Sequence, residues 1–381
     1  MKAKSIKGKS PEEIQTELDK CMQDEFKPTL AIVFLSINQD REGICNLLNK
    51  RGLAIFGATS NGEFINDEIE KNSIAIILLD IRPEYFTILF EEFQDRNFSK
   101  AAESIVKRSL ENFAKPAFLI ASSDLKTDAE EMITGFENVL GKEVNIFGGL
   151  AGDDYNFSEQ FVFTNGNSSS HGVVALVLDE DKIIIKGRAT HGWKAAGTPK
   201  SVTKSEGNHV FTVDGVSVLE LTKKYGGLDE LTEENQQKSA AELIATNFPL
   251  QLQRERGTPV MRPGLLIDWT DGSFYCGGKV PQGSKVRFSL PPDLDVIEKV
   301  VKGLNELKET EMPNADVVIL FSCAGRLMSL GPMMGKEIEE IHKVWNAPMA
   351  GFFSYGEIAR ATDGNNDLHN LTACCVALKE K

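Results

Sequence analysis

Cysteine is sparse and unpatterned in this 381-residue chain. The six residues Cys21, Cys45, Cys276, Cys323, Cys374 and Cys375 form no Cys-x-x-Cys pair and no ligand-spaced cluster, which argues against structural zinc. Cys374 and Cys375 are adjacent and would face opposite sides of a strand, so no disulfide framework is indicated and a reducing compartment fits. Only five histidines occur, with no His-Glu-x-x-His spacing. There is no Cys-x-x-Cys-His, which excludes covalent haem attachment. No run reaches about 18 consecutive apolar residues, so no segment reads as a transmembrane helix. Basic residues are outnumbered, 42 against 56, for a net charge of −14. The chain therefore lacks the concentrated basic face that nucleic acid or an anionic membrane surface requires. Its start, MKAKSIKGKSPEEIQ, is basic but leads into no apolar stretch, so it is not a signal peptide and a cytoplasmic location is expected.

What is present is an ordinary globular balance, 41% hydrophobic and 26% charged, in a chain long enough for two domains. Residues 1–9 read as a disordered basic tail. Ser10, Pro11 and Glu13 then spell a helix start with a capping box. The apolar run Thr29–Ser36 reads as a buried strand, Asp40–Lys50 as a helix closed by Gly52, and Leu53–Phe56 as a strand entering the turn GATSNGEF. Ile74–Leu79 is a further strand.

The same order recurs twice. Phe118–Ala121 is a strand, and Asp128 opens a helix that runs to Leu140 before Gly141. Val144–Phe147 then enters GGLAGDD, with strands at Phe161–Thr164, Val173–Leu178 and Lys182–Arg188. Near the end, Asp316–Ser322 is a strand, Lys336–Val344 a helix, Pro348–Ala350 leads into GFFSYGEI, and Leu371–Leu378 closes. Residues 57–63 and 351–357 share the pattern G-x-x-S-x-G-E, and GGLAGD is a shorter copy. Three unequal copies are too few for a solenoid. The fold class expected is mixed α/β: two domains of mixed β-sheets flanked by helices, built from strand–helix–strand–hairpin quasi-repeats. Residues 209–288 differ in character, with Gly-turn strands and a polar stretch at 224–239 suited to a loop or lid. The divisions expected are 1–27 as tail and helix, 28–215 as an N-terminal domain and 216–381 as a C-terminal one.

Three features carry candidate chemistry. The glycine turns have phosphate-loop spacing, but Glu63 stands where that motif needs lysine, so a triphosphate is disfavoured. Their glycines suit strand exits at positive φ, while the repeated acid suits an amine or a cation. In FSCAGR, Cys323 is either a thiol activated by Arg326 or a small buried hydrophobe. Arg326 is either an internal ion-pair partner or a clamp for a ligand carboxylate. A Cys323–His369 pairing would give nucleophile and base, but no nucleophile, base and orienting group stand at diagnostic spacing, and no enzyme is expected.

Taken in order, GATSNGEF, GGLAGDD, HGWKAAGTPKSVTKSEGNHVFTVDG, FSCAGR, GFFSYGEI and LHNLT resemble the FIST family across residues 28–378. That resemblance implies a sensory module binding a small molecule, amino acids being the usual suggestion, with N- and C-terminal FIST halves. It also implies action with a histidine kinase or a cyclic-dinucleotide enzyme. No kinase, cyclase or F-box segment is attached, so the output is expected to pass to a separate partner. Some members resemble haem-based nitric-oxide sensors, which keeps haem as an alternative cofactor; no other cofactor or metal is evident. The ligand contacts expected are Thr59, Ser60, Gly62 and Glu63; Gly149, Gly152 and Asp153; and Cys323, Arg326, Ser354, Gly356, Glu357, His369 and Asn370.

Overall fold

The computed structural model describes residues 1–23, 25–228 and 242–381. Among them the strands form four sheets, and three of these obey one rule. A central strand has a parallel neighbour on one side, reached through a helical crossover, and an antiparallel neighbour on the other, with a further antiparallel strand outside. In the first sheet these are Leu30–Ser36, Ala54–Ser60, Ile74–Asp80 and Lys2–Gly8. In the second they are Pro116–Ser122, Ile146–Leu150, Gly172–Asp179 and Phe86–Glu92. In the third they are Val317–Cys323, Met349–Ser354, Ala373–Glu380 and Ile183–Thr190.

The two remaining places in each six-stranded sheet are filled by a hairpin from another unit. The hairpin Glu63–Ile65 and Glu68–Glu70 of the first unit extends the third sheet. The hairpin Val162–Phe163 and Ser168–Ser169 of the second extends the first. The hairpin Glu357–Arg360 and Asn366–His369 of the third extends the second. The exchange is cyclic, so the three glycine turns are the points at which the chain leaves its own sheet for its neighbour's. The quasi-repeat and the mixed sheets expected from sequence are both present.

The central strands are buried on both faces, which is why they read as continuous apolar runs. Alternate residues such as Phe34, Leu119 and Phe321 enter one shared core. There Phe34, Phe321 and Phe352 pack with ring centroids 4.7–6.1 Å apart. The intervening residues pack outward on helices. Val33 and Leu35 meet helices Pro11–Cys21 and Arg41–Lys50. Phe118 and Ile120 meet Phe98–Leu110 and Ala129–Leu140. Val318 and Leu320 meet Asp295–Thr310 and Met334–Trp345.

A fourth, eight-stranded sheet spans Ala195 to Ser289 and has its own core around Val202, Val210, Phe274 and Phe288. It is inserted between the first strand of the third unit and that unit's first helix. Buried Arg262 ties it down, donating to Leu368 O at 3.0 Å and to Glu130 at 2.8 Å. Asn370 holds it from the other side, donating to Met261 O and Gly277 O.

Residues 1–9 correct the sequence reading. Lys2–Gly8 is a strand in seven-residue register with Ile74–Asp80. Ile6 is buried, and lysines that read as a solvated tail lie on an edge strand, Lys7 meeting Glu68 and Glu70. Ser10 caps its helix through Glu13 N at 3.3 Å, while Glu13 reaches back to Lys9 N at 2.8 Å. The helices Phe98–Leu110 and Asp295–Thr310 were passed over from sequence. Of the stretch 224–239, residues 224–226 end the helix Val218–Gly226 and Gly227 closes it at φ 65°; 229–239 lie outside the described residues.

Glycines recur where neighbouring strands crowd one another, as at Gly351 between Leu320 and Phe64. A Cβ on Gly351 would stand 2.0 Å from Leu320 O and 2.5 Å from the Phe64 ring, whereas one on Gly166 would meet nothing within 4 Å. Gly351→Ala is expected to cost on the order of 1–3 kcal/mol by overpacking, while Gly166→Ala leaves stability unchanged. Urea midpoints of the two variants check this; equal midpoints would remove close approach as the reason for Gly351.

Candidate functional site: the hub of the three strand exits

The three glycine turns meet. Gly152 N donates to Thr59 O at 2.8 Å and Thr59 Oγ1 returns a bond to Gly152 O at 2.6 Å. Leu150 N donates to Gly356 O at 2.8 Å, and Tyr355 N to Leu150 O at 3.0 Å. Asn61 joins all three turns. Its backbone N and its Nδ2 each donate to Phe353 O at 3.0 Å, while its Oδ1 accepts from Asp153 N at 3.2 Å and Tyr155 N at 3.1 Å. Gly152 is required there because a Cβ would fall 2.3 Å from Asn61 Nδ2. Gly149 likewise faces Phe321 and Ser354, at 2.9 and 3.1 Å from a would-be Cβ. Gly62 sits at φ +123° as a strand-exit glycine should. Gly356 does not share that positive φ; its Cβ position is crowded by Leu150 and Leu368, each at 3.2 Å.

The acids of the turns are buried, and each is enclosed by donors. Ser60 Oγ donates to Glu63 Oε1, and Ser73 donates to Oε2 through Oγ at 2.7 Å and N at 3.1 Å. The third copy repeats this: Ser354 Oγ donates to Glu357 Oε1 at 2.8 Å and Thr372 Oγ1 to Oε2 at 2.7 Å. Burial outweighs those donors and pushes Glu63 up to about 7 and Glu357 up to about 8. Asp153 is the counterexample. Burial opposes its charge, but Tyr355 OH at 2.5 Å, Ser158 N at 2.7 Å, Gln160 Nε2 at 2.8 Å and Phe157 N at 3.1 Å hold it below the usual carboxylate range.

The segment after Asp153 is strained. Asp154, Tyr155 and Phe157 have φ of 55°, 63° and 51°. Such conformations cost non-glycine residues on the order of 1–3 kcal/mol each and persist only where the surroundings impose them. Here Asp153 imposes them by gathering the following amides. Phe157 is 57% exposed, with its ring stacked on Tyr355 at 5.1 Å.

The remaining expected contacts lie around the hub in structural roles. Arg326 is fully buried against buried Glu337: Nε reaches Oε2 at 2.7 Å and Oε1 at 2.9 Å, and Nη1 donates to His191 O and Leu371 O. Its fork is filled from within the protein, the ion-pair alternative rather than the ligand clamp. Cys323 is buried, and burial with Glu357 beside it pushes the thiol far above its ordinary value, so it is no thiolate. His369 is buried with Nε2 at Ala359 O, 3.1 Å away. Burial, with Arg262 nearby, lowers it to about 3. No hydrogen bond joins Cys323 to His369 among the described residues, and neutral His369 is already engaged. Asn370 fastens the inserted sheet. A hollow of about 860 Å³ lies between residues 2–4 and residues 23 and 25–27, and one of about 520 Å³ along 216–224; both are lined by residues outside the hub.

Sequence reasoning missed Asn61, Tyr355, Ser73, Thr372 and Glu337. Asn61 and Tyr355 occupy the variable place of G-x-x-S-x-G-E, the position that a search for identical residues discards. Ser73 and Thr372 each stand at the entrance of the returning strand, an equivalence visible only once the units are superposed.

Residues 29–216 match the FIST N domain and residues 220–360 match the FIST C domain. The chain belongs to the FIST family. FIST domains are associated with signal transduction and small-ligand sensing. No curated protein matches the chain. In this FIST protein the two matched regions are interlaced, since the hairpin starting at Glu63 extends the sheet of Val317–Cys323. No helix among the described residues is long and apolar enough to cross a membrane.

Removing one partner of the buried ion pair leaves a charge stranded. Arg326→Met is expected to cost about 3–5 kcal/mol, and Arg326→Met with Glu337→Met to recover much of it, as a double-mutant cycle of denaturation free energies will show. The buried glutamic acids give a pH signature. With folded values of about 7 and 8, above their value in an unfolded chain, the native state retains protons that the unfolded state has released. Their stabilisation is complete in acid and is lost as pH rises through those values. His191 and His369, lowered to about 3, act oppositely but are exhausted above about pH 6.5. Stability is expected to fall between about pH 6.5 and 8.5, and Glu357→Gln to flatten that fall; a flat wild-type profile would show both carboxyls already ionised.

Proposed function

We propose that this FIST protein is a cytoplasmic, non-enzymatic sensor whose small ligand is taken at the hub, occupancy being read by a separate partner. The observation that supports this is the meeting of all three sheet-exchange turns on one residue, Asn61. A ligand that changes this contact changes the relation of all three sheets at once, which is what a sensor needs to turn a small contact into a large rearrangement. The protonated Cys323 and neutral His369 support a binding role over a catalytic one. A histidine kinase or a cyclic-dinucleotide enzyme is the partner class that suits a family associated with signalling. A haem-bound form has less support. His369 Nε2 faces Ala359 O, His191 Nδ1 accepts from Trp193 N, and His209 is stacked on Tyr275, leaving His171 or His342 to ligate.

Hydrogen exchange tests the reading. A compound found by a thermal-shift screen of amino acids and amines is expected to protect amides of 59–63, 150–160 and 353–357 together. Protection confined to the inserted sheet would move the site elsewhere. Asn61→Ala is expected to uncouple the three segments, so that the same compound protects only one of them.

A further inference from the structure

The chemistry at the mouth of the hub narrows the class of ligand; this rests on the reading that the hub is the ligand site. An incoming molecule meets first the stacked pair Phe157 and Tyr355, since Phe157 is 57% exposed with Tyr355 behind it. A ring face left in water carries the negative lobe of its quadrupole outward. Tyr355 strengthens this lobe, because its hydroxyl donates to ionised Asp153 at 2.5 Å and pushes electron density into the ring. Tyr155 lies beside Tyr355 and is held by its own bond to Ala324 O at 3.2 Å. Two acids, Asp154 and Glu242, act on Tyr155. Asp154 Oδ2 accepts from Ser36 and from Asn38 at 3.1 Å. Among the described residues nothing donates to its Oδ1. Exposed Glu242 lies close enough to act on Tyr155. Neither acid has an ion-pair partner among the described residues. Arg326 is filled by Glu337 and two carbonyls and has no fork left for a ligand carboxylate, and the guanidinium of Arg41 lies over the Phe161 ring, 3.8 Å from its centroid.

An exposed aromatic face beside carboxylates without an ion-pair partner is the complement of a positively charged ligand. We propose that the mouth formed by Phe157, Tyr355, Tyr155 and Asp154 binds a small organic cation, an ammonium group on a short aliphatic frame, in place of a zwitterion held by its carboxylate. The ammonium lies over the outer face of Phe157 with Asp154 Oδ1 beside it. The aromatic platform is built into the fold, since Asp153 accepts the Phe157 and Ser158 amides and so fixes the strained segment that carries the ring.

Titration calorimetry on the full chain tests this with choline as the probe and its neutral isostere, carbon replacing the ammonium nitrogen, as control. Choline is expected to bind more tightly than the isostere. Phe157→Ala, at an exposed position that tolerates truncation, is expected to weaken choline roughly threefold to thirtyfold with unchanged melting temperature. Phe157→Trp is expected to keep or improve binding, since indole offers the strongest face. Asp154→Asn keeps the Ser36 and Asn38 contacts and is expected to weaken choline and reduce its salt dependence. Equal binding of choline and the isostere would overturn the proposal, as would choline binding indifferent to Phe157→Ala. A zwitterionic or anionic compound that protects the hub while choline fails would sink the cation reading alone. If no compound of any charge protects the hub, the sensor site falls with it.

Discussion

At each of three turns the chain leaves its own sheet and completes a neighbour's, and most of the architecture depends on those crossings holding. A strand exit of this kind buries polar backbone where three sheets converge. The solution is a set of buried hydroxyl–carboxyl clusters and one asparagine that bonds in three directions. Glu63 joins the third sheet's edge to Ser60 and Ser73 of the first, and Glu357 joins the second sheet's edge to Ser354 and Thr372 of the third. A carboxyl in such a place is tolerable only when neutral or richly supplied with donors. The first and third units take the former course and the middle unit, with Asp153, takes the latter.

That divergence gives the hub its polarity. Two copies are sealed joints in which burial biases the carboxyl toward its neutral form. The middle copy keeps a charge at Asp153, and the charge organises the loop behind it, gathering successive amides and forcing left-handed backbone on side chains that resist it. The consequence is an aromatic ring turned outward beside unpaired acid. A symmetric arrangement would have had no such mouth. The repeat supplies the scaffold, and its broken copy supplies the surface that differs from the rest.

The inserted sheet is fastened by similar means. Arg262 is fully buried and reaches across to Glu130 on a helix of the second unit, while Arg326 links the third unit's helices to the backbone carbonyls of residues 191 and 371. Both are guanidiniums whose planar donors are matched to several acceptors at once, which lysine would not reproduce. Buried arginines of this kind set orientation between elements more than they add stability.

The repeated order of strand, helix and strand was legible because both faces of each central strand are apolar and the crossover helices of the first two units carry caps at Asp40 and Asp128, signals that lie within a dozen residues. Glu63, Asp153 and Glu357 were legible as a repeated acid, though their burial and opposite charge states were not, since those depend on donors such as Ser73, Thr372 and Gln160 brought in by folding. Sequence could not choose between the two roles of Arg326, because Glu337 lies one helix further on and its distance depends on how that helix packs. It left Lys2–Gly8 a tail for the same reason: an edge strand with four lysines nearby looks solvated until Ile74–Asp80 is there to pair with it. Local periodicity and turn chemistry therefore determined the elements and the family. Which sheet receives each hairpin was decided by tertiary structure alone, because the strands that pair there lie more than a hundred residues apart in the chain.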